Sequence, residues 1–257
     1  YNIMGVKRVW IIEKGNSRWK IGEFNDGVLV NVTTTDVGVE LTDLNLPKSA
    51  SNSIDILITG SGNWSNDTLK LLKSKGIVTQ LRHGDYHPLR TNVTDPGSLG
   101  TDRVANAFAI QDGVIEEALT CNAWLIVDVG TCVTFDLVVD GTHLGGAISP
   151  GISLRLDSMR IGTAALKEVK KDVWNKKAPF KGETTGLSSE DAQIKGAADG
   201  ISAEIIGRWQ LLREQYSGIG VVLTGGDSSF LELGRVEPKF ADSNLTLKGY
   251  YALFPHI

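Results

Sequence analysis

The chain has 257 residues, 41% apolar and 22% charged, which is an ordinary globular composition and enough chain for one large domain or two smaller ones. Its net charge of −4 argues against a nucleic-acid-binding scaffold, which is usually basic. Cys121 and Cys132 are the only cysteines, so we expect no disulfide framework and a reducing, cytoplasmic compartment. No apolar run approaches the roughly 20 residues of a membrane span, so we expect no association with a membrane.

Residues 8–34 have the pattern of a three-stranded meander with Asp-Gly at its second turn, a strong hairpin signal. A buried strand is predicted at residues 54–59. A helix over residues 67–75 follows, with Asn66 as its N-cap, and residues 77–81 return as a strand. Strands mixed with helices favour an α/β arrangement.

The next predicted elements begin with a polar loop over residues 82–99 and a helix from Gly100 to about Ala118. The second half begins with a second meander from Cys121, followed by a glycine-rich irregular segment over residues 145–151 and a helix over residues 154–169. An exposed loop over residues 170–190 leads to a long helix from Ser189 to about Tyr216. A strand over residues 219–224, a short helix over residues 229–233 and a closing segment over residues 245–253 complete the chain.

The first meander is repeated half a chain later. Glu13 corresponds to Asp128 and Gly15 to Gly130, both at an offset of 115 residues. Each copy has an apolar strand, an acidic residue, a glycine turn and a second strand. The repeat predicts two similar domains, residues 1–118 and residues 119–257, each with one acidic turn.

These turns are suited to phosphate binding, since backbone N–H groups and a hydroxyl can bind the phosphate while a carboxylate holds its counter-cation. An ordinary hairpin is the simpler interpretation of either turn alone.

Other nucleotide motifs are absent: the sequence has no Gly-x4-Gly-Lys loop and no complete dinucleotide fingerprint. His83 and His87 have the spacing of metal ligands on one helical turn, but Pro88 argues against a helix there.

Four segments together resemble the type III pantothenate kinase family in order and spacing. They are Gly100-Thr101-Asp102-Arg103, Asp128-Val129-Gly130-Thr131, Gly145-Gly146-Ala147-Ile148-Ser149-Pro150-Gly151 and Thr224-Gly225-Gly226-Asp227. The resemblance implies the α/β fold of the acetate-kinase, sugar-kinase, heat-shock-chaperone and actin superfamily. In that fold two duplicated ribonuclease-H-like domains, which resemble those of the actin-like ATPases, surround a nucleotide cleft.

The same resemblance implies a cytoplasmic homodimer that transfers the γ-phosphoryl group of ATP to pantothenate, the first step of coenzyme A biosynthesis. Mg²⁺ and a monovalent cation, K⁺ or NH₄⁺, are the implied metal ions. Asp128 would bind the monovalent cation and Thr131 would contact ATP. Asp102 would accept the proton of the pantothenate hydroxyl. The first phosphate loop would consist of Glu13, Lys14, Gly15, Asn16, Ser17, Arg18, Trp19 and Lys20, and the pantothenate site of Gly100, Thr101, Asp102, Arg103 and Ser189.

Each of these roles has a structural alternative. Asp102 at a helix start is also a plausible N-cap, and Ser189 has the same alternative at the start of the long helix. Arg103 is equally consistent with a solvated surface charge. The segment over residues 145–151 is also consistent with a turn that serves only packing, and residues 225–226 are also consistent with a turn that only leads into a helix.

The sequence departs from the family pattern at several positions. Glu13 stands where the family usually has Asp, and Lys14 stands where it has an apolar residue. Val93 replaces a tyrosine often found seven residues before Gly100, so an expected substrate contact is missing. These departures keep open a second hypothesis, a non-catalytic nucleotide-binding or regulatory relative similar to the Bvg accessory factors.

Overall fold

The computed structural model describes residues 7–16, 18–36, 54–115, 120–177, 185–234 and 236–257. The chain divides into two compact units. Unit 1 comprises Tyr1–Leu89, Thr94–Ala109 and Thr246–Ile257, and unit 2 comprises Arg90–Val93 and Ile110–Leu245. Within the described ranges, no helix is long and apolar enough to cross a membrane.

The strands of the described chain are β1 (Arg8–Lys14), β2 (Arg18–Asn25), β3 (Val28–Asp36), β4 (Ile54–Gly60), β5 (Gly76–Gln80), β6 (Ala123–Val129), β7 (Cys132–Val139), β8 (Thr142–Pro150), β9 (Gly220–Thr224) and β10 (Lys239–Ala241). Its α-helices are α1 (Asn66–Lys73), α2 (Thr101–Gln111), α3 (Ile152–Gly162), α4 (Lys171–Trp174), α5 (Ser189–Gln215) and α6 (Leu245–Leu253). Single 3₁₀ turns lie at Pro96–Ser98, Asn175–Lys177, Ser228–Phe230 and Phe254–His256.

The two sheets have the same topology, which confirms the predicted duplication. The sheet of unit 1 has the order β3-β2-β1-β4-β5, and the sheet of unit 2 has the order β8-β7-β6-β9-β10. In each sheet the three strands of the meander pair antiparallel. The two strands that follow in the chain pair parallel to the first strand and to each other.

The central strands are buried because their sequences are nearly continuous apolar runs, as expected of strands covered on both faces. In unit 1, Ile12, Ile56 and Ile58 are inaccessible to solvent. In unit 2, α5 packs one stripe against the sheet, with Ile201 and Ile205 in the same core as β6. The ends of these rigid strands therefore provide fixed positions for the acidic turns.

Two predictions about helix starts are wrong by one residue. Ser65, not Asn66, caps α1, and its Oγ accepts a hydrogen bond from Thr68 N at 3.2 Å. Ser188, not Ser189, caps α5, and its Oγ accepts a hydrogen bond from Asp191 N at 3.1 Å. A cap must keep extended dihedral angles while its hydroxyl faces back to the first turn, and in both cases the preceding serine does so.

The glycine-rich segment over residues 145–151 is not irregular as predicted, because most of it belongs to β8. A shift in pairing register between Leu137 and Val138 marks a bulge opposite Gly145, whose φ is +110°. Glycine adopts this backbone conformation without a steric penalty, so the strand continues through the bulge.

Three further boundaries differ from prediction. The helix that follows Gly100 ends at Gln111, and the predicted end at Ala118 lies outside the described residues. α3 ends at Gly162 rather than near residue 169. The segment over residues 170–190, predicted as a loop, contains α4, whose Trp174 is buried against Phe230.

Candidate active site

The acidic turn of unit 1 follows β1. Glu13 is paired in register with Lys20 on β2 and with Thr59 on β4, so these three side chains lie on one face of the sheet. Opposite charges directly across a strand pair stabilise this register. The next residue of β4, Gly60, has a φ of +107°, and any side chain there would overlap the carbonyl group of Lys14. Gly60 therefore allows the end of β4 to approach the acidic turn.

The other members of the predicted phosphate loop lie in different environments. Gly15 N donates to Arg18 O at 2.9 Å and closes the turn, while Asn16 is exposed. Trp19 is buried in the core of unit 1. Ser17 lies outside the described residues.

Lys14 points to the opposite face of β1 from Glu13. Its Nζ donates to Asn63 O at 2.9 Å and lies 5.3 Å from the centroid of the Trp19 ring. Lys14 therefore ties the turn to the segment after β4 in this structure.

The predicted substrate motif forms the start of α2. Val104 N donates to Gly100 O, which makes Gly100 the residue before the first helical turn. Asp102 lies in that first turn, so its alternative role as N-cap is wrong. Its Oδ1 accepts a hydrogen bond from Arg103 N at 2.9 Å. A Cβ atom at Gly100 would lie 2.5 Å from the same oxygen, so glycine leaves room for the carboxylate.

A cluster of hydroxyl groups joins this helix start to the acidic turn, and the motifs did not identify it. Thr59 Oγ1 donates to Thr101 Oγ1 at 3.2 Å. Tyr250 Oη on α6 donates to Thr101 Oγ1 at 3.2 Å and lies 3.5 Å from Glu13 Oε1. Burial, reinforced by the carboxylates of Glu13 and Asp102, raises the pKa of the Tyr250 hydroxyl well above its usual value. The only sequence signal was the tyrosine itself, in the predicted closing segment over residues 245–253, because a tyrosine hydroxyl that becomes buried needs a hydrogen-bond partner.

The acidic turn of unit 2 follows β6. Gly130 N donates to Cys132 O at 2.9 Å, and Gly151 N donates to Thr131 O at 3.0 Å. A side chain at Gly151 would overlap the backbone of this turn, which explains the glycine at the end of the Gly145–Gly151 motif. The side chain of Thr131 is exposed.

Asp128 is paired in register with Thr224 at the end of β9, as Glu13 is with Thr59. A Cβ atom at Gly225 would lie 2.5 Å from Asp128 Oδ1. Thr224 is inaccessible to solvent and its Oγ1 has no hydrogen-bond partner. A buried hydroxyl oxygen beside a carboxylate fits a hard cation, which binds oxygen ligands.

The position of Ser149 within its motif is fixed by an ion pair. Arg155 on α3 and Arg208 on α5 both bind Glu204, and Ser149 Oγ donates to Glu204 Oε2 at 3.0 Å. Burial alone would raise the pKa of Glu204, but the hydrogen bonds from Arg155, Arg208 and Ser149 outweigh it, and this pKa lies below its usual value.

A second buried network in unit 2 was also missed by sequence analysis. His143 Nε2 lies 2.8 Å from Asp136 Oδ1, and His143 Nδ1 lies 2.8 Å from Thr91 Oγ1. Backbone hydrogen bonds from His143 N to Arg90 O and from Asn92 N to His143 O add to this contact. The network fixes the segment Arg90–Val93 to β8, and Val93 lies against Gly145.

Two other predicted candidates lie outside these networks. Ser189 is exposed on the first turn of α5, and its hydroxyl is not used as the helix cap. His83 Nε2 and His87 Nε2 each lie 3.2 Å from a backbone carbonyl oxygen, of Ser98 and Pro96 respectively. In the described parts of the chain, no group of three or more His, Cys, Asp and Glu residues could hold a metal ion.

Comparison with solved structures supports the fold. A conserved Baf family protein from Campylobacter jejuni superposes with a TM-score of 0.58 at 20% identity, over 96% of this chain and 98% of that chain. A ROK family glucokinase from Streptomyces griseus, in complex with glucose and AMPPNP, gives a TM-score of 0.52 at 8% identity, over 96% of this chain and 98% of that chain. At these identities the likeness concerns the fold alone, and it identifies two mixed five-stranded sheets with helices of the actin-like ATPase type.

Sequence comparison is more specific. The family model for type III pantothenate kinase matches residues 10–209. A type III pantothenate kinase of Cytophaga hutchinsonii is 30% identical over 243 residues, which are 93% of this chain and 95% of that protein. A type III pantothenate kinase of Flavobacterium psychrophilum is 27% identical over 95% of this chain and 98% of that protein. The two acidic turns, one in each unit, the glycines that allow close approach to them and the start of α2 thus occur in a chain that belongs to the type III pantothenate kinase family.

Proposed function

We propose that this chain transfers the γ-phosphoryl group of ATP to the hydroxyl group of pantothenate, the first committed step towards coenzyme A. The observation that carries the proposal is the start of α2, where Asp102 is positioned over Gly100 in a chain of this family. Phosphoryl transfer depends mainly on positioning and on neutralising charge, so a fixed carboxylate at a helix start is a suitable proton acceptor.

The roles of the remaining residues follow the same assignment. In unit 1, the turn from Glu13 to Lys20 binds the phosphates of ATP, and Glu13 provides a carboxylate for Mg²⁺. This ion usually takes one or two carboxylates together with substrate phosphates. Gly100, Thr101 and Arg103 bind pantothenate. In unit 2, Thr131 contacts ATP and Ser189 contacts pantothenate.

Asp128 binds the monovalent cation, K⁺ or NH₄⁺. Support comes from Thr224 Oγ1, a buried oxygen without a hydrogen-bond partner, on the strand position paired with Asp128. A cation bound there would supply positive charge next to the turn of unit 2 that carries Thr131, and would satisfy an oxygen that is otherwise costly to bury.

The reaction would take place in a reducing cytoplasm, in agreement with two free cysteines, of which Cys132 is exposed. We also propose a homodimer, as the family resemblance implies.

An ADP-release assay coupled to NADH oxidation, run with ATP, Mg²⁺ and pantothenate, tests the proposed function. We expect turnover that depends on pantothenate and that rises when Na⁺ is replaced by K⁺ or NH₄⁺ at constant ionic strength. Mass spectrometry of the product should show pantothenate carrying one phosphoryl group. Nucleotide binding without turnover would instead support a non-catalytic relative similar to the Bvg accessory factors.

A further inference from the structure

Tyr250 occupies an unusual position for a tyrosine. Its side chain is inaccessible to solvent, and its hydroxyl contacts Thr101 at 3.2 Å and Glu13 at 3.5 Å. Burying the hydroxyl group of a tyrosine costs free energy unless that group is hydrogen-bonded. Here both partners belong to segments that we assign to the active site: Glu13 to the phosphate loop and Thr101 to the substrate helix.

The hydrogen-bond inventory gives Tyr250 a directional role. A tyrosine hydroxyl has one hydrogen, so it is shared between Glu13 and Thr101. Thr59 also donates to Thr101. Tyr250 thus connects the Glu13 carboxylate of the phosphate loop to the Thr101 hydroxyl at the start of the substrate helix.

The length of Glu13 is matched to this contact. Aspartate at the same position would withdraw the carboxylate by about 1.5 Å, one carbon–carbon bond. At 3.5 Å the contact of Glu13 Oε1 with Tyr250 Oη is already at the limit of a hydrogen bond, so the shorter side chain would lose it.

We propose that Tyr250 is a positioning residue of the active site, which holds the Glu13 carboxylate of the phosphate loop through its hydroxyl group. This proposal rests on the proposed function, since it assigns a role within the same site. It also explains why this chain functions with glutamate in place of the shorter acid: the tyrosine supplies a partner that only the longer side chain reaches.

The test is a double-mutant cycle with Tyr250→Phe and Glu13→Asp. Phenylalanine keeps the ring and removes only the hydroxyl. The matched control is Tyr251→Phe, because the neighbouring ring stacks on Phe24 at a centroid distance of 4.3 Å. For all variants, kcat and KM for ATP are measured with pantothenate, together with the melting temperature and the affinity for Mg²⁺-AMPPNP.

We expect Tyr250→Phe to lower kcat/KM for ATP roughly ten-fold, the kinetic equivalent of about 1.4 kcal/mol for a hydrogen bond to a charged group. The same change in the Glu13→Asp background should cost less than about two-fold, because the contact is already lost there. The Tyr251→Phe control should match the wild-type kinetics. Wild-type kinetics for Tyr250→Phe, or an equal loss in both backgrounds, would overturn the proposal.

The nucleotide measurement separates this proposal from the proposed function. If the wild-type protein does not phosphorylate pantothenate, the proposed function fails, and the cycle is then evaluated with the dissociation constants for Mg²⁺-AMPPNP. A coupling between Tyr250 and Glu13 in those constants would support the positioning role without any turnover. Additive effects, or no binding of the nucleotide, would overturn it.

Discussion

Asp102→Asn distinguishes a catalytic carboxylate from a structural one. The substitution keeps the size of the side chain and the oxygen that accepts the hydrogen bond from Arg103 N. What it removes is the negative charge and the ability to accept a proton. Because Asp102 lies in the first turn of α2, the lost interaction with the helix dipole is worth about 0.5 kcal/mol. For a chain of this size, that corresponds to a decrease in melting temperature of roughly 2 °C or less.

The expected kinetic effect is far larger. A positioned general base contributes roughly 10²–10⁴-fold to kcat, and the loose transition state of phosphoryl transfer places this enzyme at the lower end. We therefore expect kcat to fall about 100-fold, or about 2.7 kcal/mol, while the affinity for Mg²⁺-AMPPNP changes little. The coupled ADP-release assay and thermal melting are carried out on the same preparation.

Gly100→Ala is the companion variant. It leaves the charge of Asp102 in place but puts a methyl group 2.5 Å from the present position of its Oδ1, so the carboxylate must move. We expect kcat between those of the wild type and Asp102→Asn, since misplacing a catalytic group also lowers the rate.

A folded Asp102→Asn variant that keeps more than half of the wild-type kcat would refute the assignment of Asp102 as the base.

Asp128, Gly60 and Glu204 provide three further tests of the contacts described above. Asp128→Asn should abolish the stimulation of turnover by K⁺, because a neutral amide does not balance the charge of a cation. Thr224→Val should weaken the apparent K⁺ affinity less severely. Titration with KCl at constant ionic strength measures both effects, and unchanged K⁺ curves would exclude the cation site. Gly60→Ala should destabilise the fold by several kcal/mol, since its Cβ would overlap the backbone of β1. Gly84→Ala is the control, because Gly84 has a positive φ but no atom lies within 4 Å of an added Cβ, so it should lower the unfolding free energy by only about 1 kcal/mol. Urea unfolding measures both variants, and equal losses for Gly60→Ala and Gly84→Ala would contradict the steric argument. Glu204→Gln should cost about 1 kcal/mol at pH 7. The pKa of Glu204 is lowered in the folded state, so its carboxylate stabilises the fold at pH values above its ordinary pKa of 4.5. This stabilisation is lost as the pH falls through the lower folded-state pKa. The difference in unfolding free energy between the wild type and Glu204→Gln should therefore shrink in acid.

Local patterns in the sequence were sufficient to predict much of the fold. The alternation and Asp-Gly turn of residues 8–34, and their repetition after Cys121, predicted two meanders that the structure confirms. Glu13 and Asp128 were predicted at strand ends, where they lie. These features depend on a few neighbouring residues, because strand periodicity, turn chemistry and chain duplication are all written along the chain itself.

Other features depend on atoms that are distant in the sequence. The contact of Tyr250 with Glu13 joins residues 237 positions apart, and no periodicity or spacing encodes it. Similarly, the regular strand through Gly145 depends on a bulge in its pairing with β7, which only the partner strand reveals. Ser188 rather than Ser189 caps α5, because the backbone of Ser188 is extended and its Oγ accepts a hydrogen bond from Asp191 N.

The duplication, the two meanders and the positions of the acidic turns were therefore readable from the sequence, because they follow from local preferences and from apolar runs that must be buried. Which hydroxyl groups meet the turn of unit 1 depends on tertiary packing. Buried polar groups must find partners wherever the packing brings them, so the environment of Thr59, Thr101 and Tyr250 is set by how α2 and α6 pack on the sheet of unit 1.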